Sequence, residues 1–445
     1  MSSRNFEGSG HIRKATGLTL QLTALFLFVA IFVVATLRKV HLGIIMFASA
    51  CGVGIWLAGM PLKNVVGGFP ISIMILLVGV TYFFAIAQAN GTIDRLTEVA
   101  IGRVGNHAVL LPFVFFALTA SVSAMGSPLG GLVMAPVGMP IARRYDIDSM
   151  LMALAIGTGF SAGAFAPTSL FGIVSYGTAH QANIELNPLT LFAVAVVANL
   201  VLLFASFFIF GGPELIKRRN AGTSNPASPH FAEDRVALSR VPFTRNQIST
   251  VICMIGLIVS VVALSLAGLD PDIGVLCFAF GAVLTLIDPV SSTTAVSRID
   301  WSTVLLVGGI ITFVGVLQNM GAVDLLGTAA TKIGVPILSA LVICVIAGLV
   351  SAFASTTGIL AALVPLAIPL VAASDLPGWA IISALSVCSS IVDVSPFSTV
   401  GATLVATAAE EDRPRMTSLL TRWGMSMVVI GPIVLVAILV LPGLL

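Results

Sequence analysis

The stretch Ser123-Ala124-Met125-Gly126-Ser127-Pro128-Leu129-Gly130 returns 228 positions later as Ser351-Ala352-Phe353-Ala354-Ser355-Thr356-Thr357-Gly358. Three more blocks keep nearly the same spacing. Pro136 and Pro140 correspond to Pro365 and Pro369 at an offset of 229, and Pro167, Ser169 and Gly172 correspond to Pro396, Ser398 and Gly401 at the same offset. Gly79, Gln88, Gly91 and Asp94 correspond to Gly309, Gln318, Gly321 and Asp324 at 230. Apolar low-complexity sequence could mimic one such block, but not proline, glycine, glutamine and aspartate in register. The chain therefore reads as two copies of one unit.

Composition says where that unit resides. Of the 445 residues 58% are hydrophobic and 9% charged, whereas a soluble domain carries about 25% charged residues. Several segments of 18 or more residues lack any charge, which is the pattern of membrane-spanning helices. Apolar stretches fall near 18–36, 42–60, 69–89, 107–142, 149–179 and 188–212, and again near 248–268, 273–289, 302–320, 335–373, 377–408 and 420–445. The fourth stretch of each half is too long for one helix across a ~30 Å core and short for two crossings. Each carries a break at its middle, Gly126-Ser127-Pro128 in one and Ala354-Ser355-Thr356-Thr357-Gly358 in the other. These two stretches read as re-entrant hairpins. The fifth stretches are interrupted at Ala166-Pro167-Thr168-Ser169 and Ser395-Pro396-Phe397-Ser398-Thr399, and read as broken helices. Non-helical backbone at membrane depth is tolerated only inside protein or beside an aqueous cavity.

The expected organisation is all-α and polytopic, with two inverted repeats of five crossings and one re-entrant hairpin each. An N-terminal tail covers 1–17 and the first repeat 18–213, with its hairpin at 107–142 and broken helix at 149–179. A linker covers 214–246. The second repeat covers 247–445, with its hairpin at 335–373 and broken helix at 377–408. Five crossings per half, an odd number, invert the second half relative to the first. On this topology 16 of the 21 Lys and Arg residues fall on the linker side and 5 on the other. The positive-inside rule then makes the linker cytoplasmic and puts both termini outside. An inner-membrane protein without a cleavable signal is expected, because the first apolar stretch is too long for a signal core.

Several classes of function find no support. A net charge of +2 is too small to suggest nucleic acid. The five cysteines (Cys51, Cys253, Cys277, Cys344, Cys388) lie in apolar segments, unpaired in spacing and without histidine companions. They read as small buried hydrophobes. No Walker motif, metal-spaced histidine pair or Ser-His-Asp set occurs, so there is no basis for an enzyme and no cofactor is expected.

The breaks are where chemistry is expected. Each exposes a helix N-terminus with unpaired N–H groups and partial positive charge, a ready anion site. Hydroxyls accompany them: Ser127, Ser355, Thr356 and Thr357 at the tips, and Thr168, Ser169, Ser398 and Thr399 at the helix breaks. With Pro128 these form the expected substrate set. Carbonyls freed beside the same breaks can coordinate a small cation, for which Ser123, Gly126, Ala354, Ser390, Asp393 and Ser395 are the candidates. Asp393 is the sole acidic residue well inside an apolar stretch, and an ionisable group there is costly and usually functional. Its readings are cation ligand, proton carrier or structural carboxyl held by neighbouring hydroxyls. Its counterpart in the first half is Ala164, so the role is one-sided. Asp94 and Asp324 read as helix caps or interfacial hydrogen-bonding groups.

These hairpin and broken-helix pairs resemble the ion transporter superfamily that includes the divalent anion/sodium symporters. The segments Ile31-Phe32-Val33-Val34-Ala35-Thr36-Leu37-Arg38-Lys39-Val40-His41-Leu42-Gly43 and Asp393-Val394-Ser395-Pro396-Phe397-Ser398-Thr399 look most like the malonate/dicarboxylate carrier family. The likeness covers nearly the whole chain outside the linker and the first ~15 residues. The symporters carry Ser-Asn-Thr at each tip, contacting both sodium and carboxylate. The equivalent positions here, Gly126-Ser127-Pro128 and Ser355-Thr356-Thr357, contain no Asn. The resemblance implies a homodimer and an elevator motion, with the hairpins and broken helices sliding against a scaffold of early helices. The expectation is a carrier of malonate or a C4-dicarboxylate, coupled to Na+ or H+. The competing expectations are the membrane subunit of a binding-protein-dependent tripartite system, or a carrier of a sulfonate or citrate.

Overall fold

The computed structural model describes residues 5–38, 40–103, 108–126, 130–220, 242–267, 269, 272–322, 325, 336–352, 356–372 and 376–444. Among them there is no strand. The first half runs α1 (Asn5–Arg38), α2 (Leu42–Gly52, continued by a π-helical turn Val53–Leu57), α3 (Leu62–Gly67), α4 (Ile71–Ala89), α5 (Thr92–Arg103), α6 (Leu111–Ala124), α7 (Gly130–Arg144), α8 (Ser149–Ala164), α9 (Leu170–Gln181), α10 (Pro188–Ile209) and α11 (Gly212–Asn220). The second half runs α12 (Arg245–Leu266), α13 (Ile273–Ile287), α14 (Pro289–Val296), α15 (Trp301–Asn319), α16 (Pro336–Ser351), α17 (Thr356–Ala372), α18 (Gly378–Ile391), α19 (Thr399–Thr407) and α20 (Arg413–Leu435). Asn5–Gly17 continues α1 as helix. No proline interrupts it, and extending a formed helix costs far less than nucleating one. Likewise Glu214–Asn220 of the linker is helical, while 221–241 and Asp324 lie outside the described residues.

Among the described residues five helices are long and apolar enough to cross a membrane: Leu18–Ala35, Ile71–Ala89, Pro188–Ile209, Trp301–Asn319 and Glu410–Val440. Their outward faces are apolar too. On α10, Leu191, Ala195 and Leu203 are buried while Val197, Val201 and Phe208 are exposed, as expected for a helix with lipid on one side. The helices around the breaks are shorter. α6 has 14 residues, α7 15, α9 12 and α19 9. At 1.5 Å per residue, none of these four spans a ~30 Å core alone.

Small residues let the central helices touch backbone to backbone. Every residue of α8 from Met150 to Ala164 is buried. A Cβ added at Gly159 would stand 2.5 Å from the Phe116 carbonyl oxygen, and one at Gly163 2.1 Å from that of Ala120. Helix α6 is thus packed on α8 as closely as glycine permits.

Close approaches recur in pairs that exchange halves. A Cβ at Gly79 would meet the Gly274 carbonyl oxygen at 2.6 Å, and one at Gly309 would meet that of Gly43 at 1.9 Å. Gly274 lies against Leu76 and Gly43 against Leu306. Gly91 and Gly321 end α4 and α15 with φ of +73° and +71°, the left-handed conformation that closes a helix. The Ser161 hydroxyl donates to that of Ser390 at 2.8 Å, and these two residues are 229 apart.

Candidate functional site

Proline ends the first helix of each broken pair. Pro167 and Pro396 have no N–H to give and would clash with the preceding turn of a continuous helix. The chain turns sharply instead, and in the same way twice. Ala166 N–H donates to Gly163 O at 3.0 Å, and Ser395 N–H to Val392 O at 3.0 Å. A Cβ at Gly172 would stand 2.3 Å from the Ala166 carbonyl oxygen, and one at Gly401 2.0 Å from that of Ser395. The turn therefore folds back over the second half-helix where only glycine fits. Ser398 caps α19, its hydroxyl accepting from Gly401 N–H at 3.0 Å.

The first break is fastened to the first tip. Thr168 Oγ1 donates to Ala124 O at 2.6 Å, and Ser169 Oγ to Ser123 O at 2.7 Å. Both carbonyls lie at the C-terminal end of α6, where intrahelical donors run out; Ser123 O also accepts from Gly126 N–H at 3.1 Å. Gly126, with φ of +73°, turns the chain out of α6. A Cβ there would lie 3.0 Å from both the Thr168 carbonyl oxygen and Val80. The Ser123 hydroxyl is buried with no partner among the described residues. Thr168 and Ser169 thus hold the tip with their hydroxyls. Replacing both (Thr168→Val with Ser169→Ala) is expected to strip the Ala124 carbonyl of its side-chain donor, at about 1–3 kcal/mol, and to leave the Ser123 carbonyl with Gly126 N–H alone. Thermal unfolding in detergent should show the pair of changes lowering the midpoint, and an unchanged midpoint would contradict the clamp.

The second tip is arranged differently. Thr356 begins α17, and its hydroxyl lies 3.0 Å from that of Ser351 at the end of α16. The Thr356 and Ser398 side chains lie beside the Asp393 carboxyl. The Ser398 hydroxyl also contacts the Asp393 carbonyl and, at 2.9 Å, the Ser395 carbonyl. Two helix N-termini, those of α17 and α19, therefore converge on one acidic side chain. Each carries a partial positive charge, and no Lys or Arg is among these contacts. Thr357 is buried beside Thr356.

Not every expected residue joins this cluster. Ser390 lies one turn back on α18 and bonds Ser161 and the Val387 carbonyl rather than Asp393. Asn199 Nδ2 adds a bond to Ser161 at 3.1 Å. Ser395 is buried in the turn, its hydroxyl accepting from Phe397 N–H at 3.3 Å, and Thr399 is exposed. Ser127, Pro128, Ala354 and Ser355 lie outside the described residues. Sequence reading overlooked Ser351, although it opens the repeated tip motif, and Ser161, whose only signal was its offset of 229 from Ser390. No group of three or more His, Cys, Asp or Glu residues is gathered among the described residues. A cation here would be held by hydroxyl, carbonyl and carboxyl oxygens, the hard ligands that suit a small hard ion.

Comparison with known proteins agrees with this architecture. The fold is similar to that of the Alcanivorax borkumensis YdaH transporter, with a TM-score of 0.52, over 84% of this chain and 86% of that one, at 14% identity. No curated protein matches. Residues 18–164 match the family model described as the dicarboxylate carrier protein MatC N-terminus, a region that ends with α8 and includes the first tip. The chain is similar to dicarboxylate carriers over that third of its length.

Proposed function

We propose that this chain is a secondary active transporter of a small dicarboxylate anion, malonate or a C4-dicarboxylate, coupled to Na+ or H+. The observation that carries the reading is the convergence of the α17 and α19 N-termini, through Thr356 and Ser398, on Asp393. Such a place favours an oxyanion together with a small cation. The match of residues 18–164 to dicarboxylate carriers supports the substrate class. The paired contacts of Gly79–Gly274 with Gly43–Gly309, and the bond between Ser161 and Ser390, support two repeats related by a pseudo-twofold axis. The charge split supports a cytoplasmic linker. An elevator motion in a homodimer is the mechanism that the resemblance suggests for this arrangement.

Binding gives a direct test. At 100 times its dissociation constant a ligand stabilises the folded state by about 2.7 kcal/mol. Malonate and succinate are therefore expected to raise the thermal unfolding midpoint of purified protein, whereas acetate at equal ionic strength should leave it in place. Equal shifts with acetate would remove the case for a dicarboxylate.

A further inference from the structure

Helices α9 and α18 run antiparallel, and three observations fix their register. Ser386 Oγ donates to Ser175 Oγ at 3.0 Å. A Cβ at Gly378 would meet Ile184 at 2.9 Å, just past the end of α9. Asn183 and Trp379 line the same cavity of about 760 Å³, together with Tyr176 and His180. In this register Thr178 faces Ser383, one turn from the Ser175–Ser386 pair on the side toward the cavity. Thr178 is 3% exposed and Ser383 0%, and neither hydroxyl has a partner among the described residues. Deeper in, Ser390, Ser161 and Asn199 form the next polar group, and Asn199 Oδ1 is again buried without a protein partner.

A buried hydroxyl left unsatisfied costs about 1–3 kcal/mol, and a site with two to four polar partners is where buried water binds. The repeat supplies an internal control. The offset of 229 carries Ser175 to Leu404, Ser386 back to Gly157, Thr178 to Thr407 and Ser383 back to Leu154. Leu404 does pack against Gly157, at 3.9 Å from a Cβ built there. The matching seam between α8 and α19 is thus apolar, and Thr407 turns its hydroxyl onto its own helix at Thr403 O, 2.8 Å. The backbone is repeated while the polarity is not.

We infer that the α9–α18 seam binds ordered water between Thr178 and Ser383, and forms a one-sided hydrated path from the Asn183–Trp379 cavity to the buried Ser175–Ser386 pair. Its ligand class is water and the smallest cations, admitted from the face that carries the α9–α10 connection. The water site stands on the seam's own polar atoms; only its use as an access route for the coupling cation rests on the transport reading.

Radiolytic hydroxyl labelling tests it on the native protein in lipid nanodiscs, because radicals form at bound water and mark the side chains beside it. Ile382 and Leu385 on α18 and Leu151 and Leu154 on α8 are all fully buried, so bulk exposure does not separate them. Ile382 and Leu385 are expected to label several times faster than Leu151 and Leu154. Equal rates in the two helices, or none in either, would overturn the inference. The combined change Thr178→Val and Ser383→Ala removes both polar atoms at nearly constant shape and should bring the α18 rate down to that of α8. Labelling that persisted in the folded double variant would also overturn it. Neither readout depends on substrate or transport, so a failure here would leave the dicarboxylate reading untouched, and a failed uptake assay would leave this one untouched.

Discussion

Asp393→Asn is expected to lower coupled uptake on the order of 100-fold, which corresponds to about 2.7 kcal/mol, while leaving the protein folded. The amide keeps the size of the carboxyl and an oxygen beside Thr356 and Ser398. It removes the charge that a cation would need. Asp393→Ala goes further, because it removes the carboxyl altogether and leaves a void in the turn between α18 and α19, which costs stability beyond the lost charge. The alanine variant should therefore lose stability as well as uptake. Measuring uptake and thermal midpoint for both variants separates the roles. If Asp393→Asn transports at the normal rate, the carboxyl is structural and the coupling ion binds elsewhere.

The second large effect is expected at Gly309. A Cβ there would stand 1.9 Å from the Gly43 carbonyl oxygen, so the obstacle is backbone rather than a movable side chain. Alanine ordinarily favours a helix interior by about 1 kcal/mol over glycine, and overpacking costs about 1–3 kcal/mol or more. With no side chain to yield, the clash should win. Gly309→Ala is expected to lower the thermal midpoint and the yield of monodisperse protein. Gly67→Ala, where nothing lies within 4 Å, should change neither. An unaffected Gly309→Ala protein would show that α2 and α15 are not packed this closely.

How far these sites could be read from sequence depends on whether the cause is local. Pro167 and Pro396 stop α8 and α18 through their own covalent geometry, so those helix ends are visible in the sequence. Gly126 is visible in the same way, because a left-handed residue after a helix is most often glycine. Asp393 stands out as an acid within an apolar run, but nothing local shows that it lies beside Thr356, 37 positions earlier. Ser161 and Asn199 look like ordinary packing residues until the fold brings them to Ser390. The one-sided polarity of the α9–α18 seam is present in the sequence as Ser175, Thr178, Ser383 and Ser386 opposed to Leu404, Thr407, Leu154 and Gly157. It becomes readable only when the register between two helices some 200 residues apart is known. The helical continuation of α1 back to Asn5 has no hydrophobic signature at all, since helix propagation requires none.

The central claim is coupled movement of a dicarboxylate, and uptake of labelled malonate by purified protein in liposomes tests it most directly. Sodium and proton gradients are imposed separately, with succinate as competitor. Uptake driven by one of the two gradients, competed by succinate and lost in Asp393→Asn, is the predicted result. Folded protein that takes up no malonate or succinate under either gradient would contradict the account.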